Sequence, residues 1–216
     1  MAKIVRVDAL RPDPALLKRA AALLAAGEVL VCPTDTGYAL AADARNEGAI
    51  DRVFSLKGRS FNNPIHVAVG SLAAAGKYAR VGTTARRLAK AFLPGALTVV
   101  LPRKDTIPPR LVGGMGTVGI RIPDNAVILG LLARARMPVT TTSANISGQP
   151  TPYEVGEIVN QMGKDLEGIA MVLDQGEITS HELSTIVDLT VKPTRLLRPG
   201  RIPWEEIQRV LQQEGE

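Results

Sequence analysis

Cysteine, histidine and aromatic residues are scarce in this sequence, and each scarcity excludes a class of protein. Cys32 is the only cysteine, so no disulfide can form within the chain, and a reducing, cytoplasmic location is expected. His66 and His181 are the only histidines, which excludes a histidine-rich metal site. Aromatic residues make up 3% of the chain, too few for a surface that binds single-stranded RNA by stacking bases on exposed rings.

Long apolar runs and several catalytic signatures are also missing. No stretch approaches the roughly 20 apolar residues that a membrane-spanning helix needs, and residues 1–7 alternate in polarity instead of building the apolar core of a secretory signal. A phosphate-binding loop, an H-E-x-x-H metal motif and a G-x-S-x-G nucleophile elbow do not occur. Residues 114–119 match G-x-G-x-x-G, but they precede a predicted strand, so a loop leading into that strand is expected there.

The remaining composition is that of a mildly basic globular protein. The chain has 216 residues, of which 45% are hydrophobic and 22% charged, and this is enough to bury a sizeable core. Its net charge of +5 fits an anionic ligand or RNA. The positive residues are scattered, however, so a basic surface without function explains them equally well.

Strand and helix patterns alternate along the whole chain. Strands are expected at residues 4–7, 29–32, 65–69, 97–101, 118–122, 139–142, 169–173, 185–189 and 195–197. Helices are expected at residues 13–26, 46–57, 84–92, 125–136, 153–162 and 203–213. This alternation predicts an α/β fold with residues 1–216 in one domain. Glycine- and proline-rich segments follow the strands, where open α/β sheets bind ligands.

Three short polar signatures occupy the ends of these predicted elements. Residues 33–38 follow an apolar strand, the Lys-Gly-Arg turn at 57–59 follows an amphipathic helix, and Ser-Ala-Asn at 143–145 follows the strand at 139–142. Two cations facing hydroxyl and amide groups suit a phosphate-bearing ligand with a small polar co-substrate. Taken singly, each signature also fits a plain turn or a helix C-terminus that carries cations.

Together, these signatures resemble a known family. The matching stretches are residues 33–40, 57–59, 63–64, 94–98, 118–123, 142–148, 184–188 and 197–200. In this order they are similar to the YrdC family of threonylcarbamoyl-adenylate synthases, in its short, TsaC-type form. The K-x-R and S-x-N pair is specific to that family. The resemblance covers nearly the whole chain, which ends soon after Gly200 and so looks like the single-domain form.

The resemblance implies a fold, a reaction and partners. The expected fold is a twisted, open, mixed α/β sheet flanked by helices, with a concave basic face. The implied reaction joins L-threonine, bicarbonate and ATP, with Mg²⁺, into threonylcarbamoyl-AMP and pyrophosphate. Partner proteins then transfer the threonylcarbamoyl group to an adenosine of tRNA. Positioning and charge neutralisation carry such a step, because little covalent help is needed.

The resemblance also implies roles for individual residues. ATP would be held by Arg59, Asn63, Thr117, Ser143, Thr151 and Arg198. Threonine would be held by Thr36, Thr141 and Arg121, the last binding its carboxylate, and by His66. The catalytic set would be Lys57, Arg59, Ser143 and Asn145, with Lys57 adding charge at the phosphates and Asn145 supporting the pocket. No residue is assigned as a metal ligand or as a general base.

Some positions depart from the family pattern and motivate an alternative. Many relatives carry a histidine where this chain has Ala68, and His66 lies on the same strand face. Thr151 replaces a usual serine and keeps the hydroxyl. Gly37 resembles the YciO paralogues, which suggests a non-catalytic protein that binds RNA or nucleotides in RNA or ribosome maturation. Binding to duplex RNA without turnover would distinguish that alternative.

Overall fold

Ten strands form one mixed sheet in the computed structural model, which describes residues 2–212. The strands are β1 (Lys3–Arg6), β2 (Leu30–Thr34), β3 (Gly37–Ala41), β4 (His66–Ala68), β5 (Leu97–Pro102), β6 (Thr117–Arg121), β7 (Val139–Ser143), β8 (Met171–Asp174), β9 (Thr185–Asp188) and β10 (Arg195–Arg198). Their order across the sheet is β1-β8-β2-β3-β7-β4-β6-β5-β9-β10. Parallel and antiparallel pairs alternate irregularly, so the sheet is mixed and open, as predicted.

Helices cover the sheet on both faces. They are α1 (Pro14–Ala25), α2 (Glu47–Lys57), α3 (Leu72–Ala75), α4 (Thr83–Phe92), α5 (Ala126–Ala135), α6 (Val155–Met162) and α7 (Trp204–Gln212), with 3₁₀ turns at Pro109–Val112 and Gly163–Gly168. Across residues 2–212, every helix is too short or too polar to cross a membrane. The final helix was predicted to end at Gln213, which lies outside the described residues. The assignment of residues 1–216 to a single domain stays a prediction.

Strand alternation divides the core into two layers. Val31, Leu40 and Val67 point into the larger layer, whereas the neighbouring Cys32, Ala41 and Ala68 belong to the layer beneath α1 and α5. Cys32 belongs to the second layer and is fully buried, and burial raises the pKa of its thiol to about 12. Cys32 is therefore a structural core residue and not an accessible nucleophile.

Helix α2 sets the position of the Lys-Gly-Arg turn. The Asn46 side chain caps its first turn by accepting a hydrogen bond from the Ala49 N–H at 3.1 Å, as its position in the sequence predicts. Gly58 ends the helix in the left-handed conformation, with φ of 55°. This stop places Lys57 in the last turn, pointing inward, and Arg59 just beyond the helix.

Strand β3 was not predicted, and its absence from the sequence-based prediction has a physical cause. Residues 33–38 carry the turn-forming Asp35 and two threonines, which favour a loop. The structure instead pairs β2 and β3 as an antiparallel hairpin, with Thr34 opposite Gly37. Both strands are fully buried between neighbours, so tertiary packing overrides the local turn preference.

Candidate active site

A cavity of about 290 Å³ opens where β3, β7, β4 and β6 meet the turn after α2. Thr36, Lys57, Arg59, His66, Arg121, Thr141, Ser143, Asn145, Thr151 and Arg198 line it, which brings together all the predicted site residues except two. Asn63 and Thr117 do not line the cavity. Asn63 is exposed and reaches the site only through its backbone carbonyl, and Thr117 begins β6 opposite Pro102.

The side chain of Lys57 is enclosed by the Ser143–Asn145 segment. Its ammonium donates hydrogen bonds to the carbonyl of Ser143 at 2.5 Å, and to the carbonyl and Oδ1 of Asn145 at 2.9 and 2.7 Å. The Ser143 hydroxyl donates to the same Oδ1 at 2.6 Å, and the Asn145 amide donates to the carbonyl of Gln149. The K-x-R and S-x-N signatures therefore meet in one hydrogen-bonded cluster.

Burial disfavours the charged form of Lys57, whereas the three surrounding acceptors favour it. Desolvation, and then the nearby Arg59, lower the pKa of Lys57 to about 7, and the side chain is 1% exposed. Three acceptors surround the nitrogen, however, and only an ammonium can donate to all three. We assign the charged form at neutral pH, because the lone pair of a neutral amine would face one of these three buried oxygen atoms in place of an N–H donor.

Arg121 forms three hydrogen bonds within the protein and keeps two further N–H groups without a partner in the described part of the chain. It donates to Thr36 Oγ1 and to Asp35 Oδ1, both at 2.6 Å, and to the carbonyl of Gly95 at 3.3 Å. A guanidinium has five N–H groups, so two remain for a ligand. Arg121 is 6% exposed, and the charged N–H groups that remain can donate to a carboxylate.

Arg59 and Arg198 are held less completely than Arg121. Arg59 donates to the carbonyls of Asn63 at 3.1 Å and Pro64 at 3.0 Å, which leaves part of its guanidinium unpaired. Arg198 donates from Nε and one terminal nitrogen to Ser184, at distances of 2.7 to 3.1 Å. The other terminal nitrogen of Arg198 has no partner among the described residues. Both residues thus offer free N–H groups at the cavity.

The cavity carries a strong excess of positive charge. Among the described residues, four cations and no aspartate or glutamate line it. Burial lowers the pKa of Arg59, Arg121 and Arg198, with Asp35 partly offsetting the effect on Arg121. Desolvated positive groups are costly without counter-charges. An anion bound here would supply them, so the site suits a polyanion such as a triphosphate.

Thr141 marks a second place where a ligand is needed. Its hydroxyl oxygen is buried and has no hydrogen-bond partner among the described residues. An unpaired buried hydroxyl is costly, so a polar ligand group or a water molecule in the cavity would satisfy it. Thr141 lies directly opposite His66 across β7 and β4, so both polar side chains belong to the same part of the cavity.

Several cavity residues were not predicted from the sequence. Thr34, Tyr38, Thr98, Ser147, Gln149, Leu183 and Ser184 also line the cavity. Ser184 fixes Arg198 and bonds Thr98 across 3.0 Å, and its place at the start of the matching stretch 184–188 was the available signal. Asp35 was treated as a turn residue, although it forms the buried ion pair with Arg121.

Gly37 permits a close approach between β3 and the loop that carries Thr151. Its φ of +126° is accessible mainly to glycine, and a Cβ there would lie 2.6 Å from Thr151 Cγ2 and 3.2 Å from the carbonyl oxygen of Pro152. The next N–H, of Tyr38, donates to that carbonyl at 3.0 Å. Glycine therefore fixes one wall of the cavity.

Replacing Gly37 by valine should destabilise the protein by about 1–3 kcal/mol, because strain and the clash with Thr151 add. Thermal unfolding would measure this loss. Gly116→Ala is the matched control, since its Cβ would meet nothing within 4 Å. Equal melting temperatures for the two variants would contradict the packing described for this wall.

A basic cavity at the strand ends of a mixed α/β sheet places this chain in the class of α/β proteins whose site suits an anionic ligand. The Sua5/YciO/YrdC family model, described as telomere recombination, matches residues 22–200 of this chain. The chain belongs to this family, so the resemblance expected from the motifs is confirmed.

The chain is similar in sequence and in structure to several named proteins. A threonylcarbamoyl-AMP synthase of Pyrococcus abyssi is 37% identical over 197 residues, which cover 90% of this chain and 57% of that protein. The structure of P. abyssi Sua5 complexed with L-threonine superimposes with a TM-score of 0.91 at 35% identity, covering 96% of this chain and 60% of that one. Escherichia coli YciO superimposes with a TM-score of 0.87 at 25% identity, covering 96% and 100%. The chain thus spans less than two thirds of the length of the Pyrococcus protein.

Proposed function

We propose that this protein is an ATP-dependent L-threonylcarbamoyladenylate synthase. It would join L-threonine, bicarbonate and ATP into threonylcarbamoyl-AMP, with release of pyrophosphate. One observation carries the proposal: Arg59, Arg121 and Ser143, remote in sequence, line a single basic cavity. The names of relatives at 37% identity support the same activity.

Two sets of donors in the cavity suit two different substrates. The free N–H groups of Arg59 and Arg198 would bind the triphosphate, with the Ser143 hydroxyl alongside. The two spare N–H groups of Arg121 would bind the carboxylate of threonine. The unpaired Thr141 hydroxyl lies on the same side as His66, where it would contact the amino acid. Asn63 would act through its backbone carbonyl, and Thr117 is left without a role in this cavity.

The reaction needs alignment and charge neutralisation. A carbamate oxygen attacks the α-phosphorus, a new P–O bond forms, and the bond to pyrophosphate breaks with its electron pair on the leaving group. The guanidinium groups would stabilise the charge that develops on the phosphates. Lys57 would act differently from the sequence-based expectation: its donors hold Ser143 and Asn145, so it would position the hydroxyl and raise the local potential without direct contact.

Magnesium would be bound through the nucleotide. Within residues 2–212, no group of three or more candidate ligand residues comes together, and no carboxylate lines the cavity. Mg²⁺ in nucleotide sites is commonly held by one or two carboxylates in addition to phosphates. The cavity residues therefore do not fit a protein-held Mg²⁺, and we derive no step through the metal.

The product would be passed on for tRNA modification. Threonylcarbamoyl-AMP is a mixed anhydride, so a transfer protein could use it to acylate an adenosine of tRNA. We propose that such transfer proteins and tRNA are the downstream partners. The cavity itself accounts only for the small substrates.

Pyrophosphate release tests the proposed function. Purified protein should release pyrophosphate with threonine, bicarbonate, ATP and Mg²⁺ together, and release should stop when threonine or bicarbonate is omitted. Release that ignores threonine would reject the proposal. Salt-sensitive binding of duplex RNA without any turnover would favour the non-catalytic alternative instead.

Replacing Arg59 by alanine should weaken ATP binding by about 1.5–3 kcal/mol, the range for a hydrogen bond to a charged group. Isothermal titration with a non-hydrolysable ATP analogue would measure the loss. Arg52→Ala is a suitable control, because Arg52 lies on α2 and forms an exposed pair with Glu28. An unchanged nucleotide affinity in the Arg59 variant would refute its assigned contact.

A further inference from the structure

The imidazole of His66 lies on the floor of the cavity, in a space created by Gly119. His66 begins β4, faces Thr141 on β7, and lies against β6 on its other side. A Cβ at position 119 would collide with His66 Cδ2, so a side chain there would displace the ring. The absence of a side chain at Gly119 lets the imidazole lie over the neighbouring strand.

The imidazole of His66 is available as a proton acceptor in this cavity, because it makes no hydrogen bond to the described residues. The contacts of residues 2–212 give neither ring nitrogen a hydrogen bond, although His66 lines the cavity. Lys57 is enclosed by three oxygen atoms, and Asp35 is paired with Arg121. Cys32 is fully buried in the core.

The proposed reaction requires a group of this kind. Threonine enters as an ammonium, and R–NH₃⁺ plus HCO₃⁻ gives R–NH–COO⁻, H₂O and one H⁺. The N–C bond forms with the nitrogen lone pair, so the nitrogen must first lose a proton. The C–OH bond of bicarbonate then breaks, and the hydroxide leaves as water with a second proton from the nitrogen. The first proton needs an acceptor within hydrogen-bond reach.

We propose that His66 accepts this proton from the amino group of the amino-acid substrate. The proposal rests on the proposed function and assigns the base that the reaction needs. Arg121 would fix the carboxylate on β6, and β4 lies beside β6 in the sheet, so the amino group of the same molecule is within the region of His66. The Thr141 hydroxyl, directly opposite, would accept or donate a hydrogen bond to the same group.

The bound nucleotide would make His66 a stronger base by raising its pKa. Burial, followed by the charges of Arg198, Arg59 and Arg121, lowers the pKa of His66 to about 4, so the free protein holds it neutral and weakly basic. The charged groups around it are these guanidinium groups, the Lys57 ammonium, and Asp35 behind Arg121. Strand β7 presents Thr141, Thr142 and Ser143, which carry no charge. A triphosphate carries several negative charges and would offset the cations, raising the proton affinity of His66 when ATP is present.

A pH profile of the wild type and a His66→Gln variant tests the catalytic role. Glutamine keeps a polar group of similar length and cannot accept a proton. At saturating ATP, kcat/KM for threonine in His66→Gln should fall by about 100-fold or more, the usual contribution of a positioned base. In this variant, log kcat/KM should rise with unit slope as pH increases, because only threonine that has already lost its proton reacts. The wild-type profile should be nearly flat above the pKa of His66. The KM for ATP should stay within about 3-fold, since a base adds little to nucleotide binding.

The matched control is His181→Gln. His181 is exposed, stacks on Tyr153 at 4.1 Å between ring centroids, and lies outside the cavity lining. Wild-type rates and pH dependence are expected for it. Because these are the only two histidines, imidazole NMR signals can be assigned from the two variants. In the wild type, a non-hydrolysable ATP analogue should raise the pKa of His66 by at least about one unit, the order of shift that a nearby opposite charge produces.

Each outcome decides between specific claims. Wild-type turnover together with an unchanged rate and pH profile in His66→Gln would overturn the role of His66 and leave the proposed function intact. Absence of threonine-dependent turnover in the wild type would reject the proposed function, and with it the base. An NMR titration of His66 that does not respond to the nucleotide analogue would reject the switch, and this measurement does not depend on the folding of any variant.

Discussion

Replacing Arg121 by lysine should raise the KM for threonine at least about 100-fold, because two charge-assisted hydrogen bonds at about 1.5–3 kcal/mol each are lost. Lysine keeps the positive charge but lacks the planar fork that pairs with a carboxylate. It also cannot contact Asp35, Thr36 and a carboxylate in the same geometry. The affinity for a non-hydrolysable ATP analogue should change little, because the free N–H groups of Arg59 and Arg198 are retained and lysine keeps the positive charge.

Steady-state kinetics with threonine as the varied substrate would measure this effect. Arg195→Lys is the matched control: Arg195 pairs with Asp188 at 3.5 Å, and its side chain is 65% exposed, so it should behave as wild type. Loss of nucleotide affinity with an unchanged KM for threonine would contradict the assignment of Arg121 to the amino acid.

Replacing Lys57 by methionine should lower both stability and activity. Methionine has a similar length, but it removes the ammonium donor from the carbonyls of Ser143 and Asn145, and it leaves the Asn145 amide oxygen with the Ser143 hydroxyl as its donor. Unsatisfied buried acceptors cost about 1–3 kcal/mol, so the free energy of unfolding should decrease by an amount in this range. Because the Ser143 hydroxyl would lose its support, kcat/KM should fall by about 100-fold or more, as small displacements of positioning groups do.

Urea denaturation and pyrophosphate release would measure the two effects of this substitution. Lys18→Met on α1 is the control, since Lys18 is exposed and outside the cavity. If the Lys57 variant lost only nucleotide affinity and kept its stability, direct phosphate contact would describe this lysine better than the positioning role.

The local parts of this structure could be predicted from the sequence because local chemistry determines them. Helix α2 begins after the cap at Asn46 and ends at Gly58, and both signals are visible in the chain. The G-x-G-x-x-G stretch indeed leads into β6. Hairpin β2–β3 could not be predicted, since only the neighbouring strands bury its turn-rich residues.

The composition of the site followed from the motifs, whereas its internal contacts did not. Strand pairing brings Ser143 opposite Ala39, and α2 brings Lys57 to the same place from 86 positions away. No residue pattern indicates that the lysine would donate to backbone carbonyls instead of facing phosphate. The pairing of Asp35 with Arg121 likewise depends on contacts between β6 and the β2–β3 turn.

The fate of labelled bicarbonate tests the central claim most directly. Purified protein incubated with ¹³C-bicarbonate, L-threonine and MgATP should form an AMP adduct that carries both the threonine mass and the ¹³C label in mass spectra. One cavity that holds both substrates predicts this adduct together with an equal amount of pyrophosphate. AMP or pyrophosphate formed without a labelled threonine adduct would contradict it.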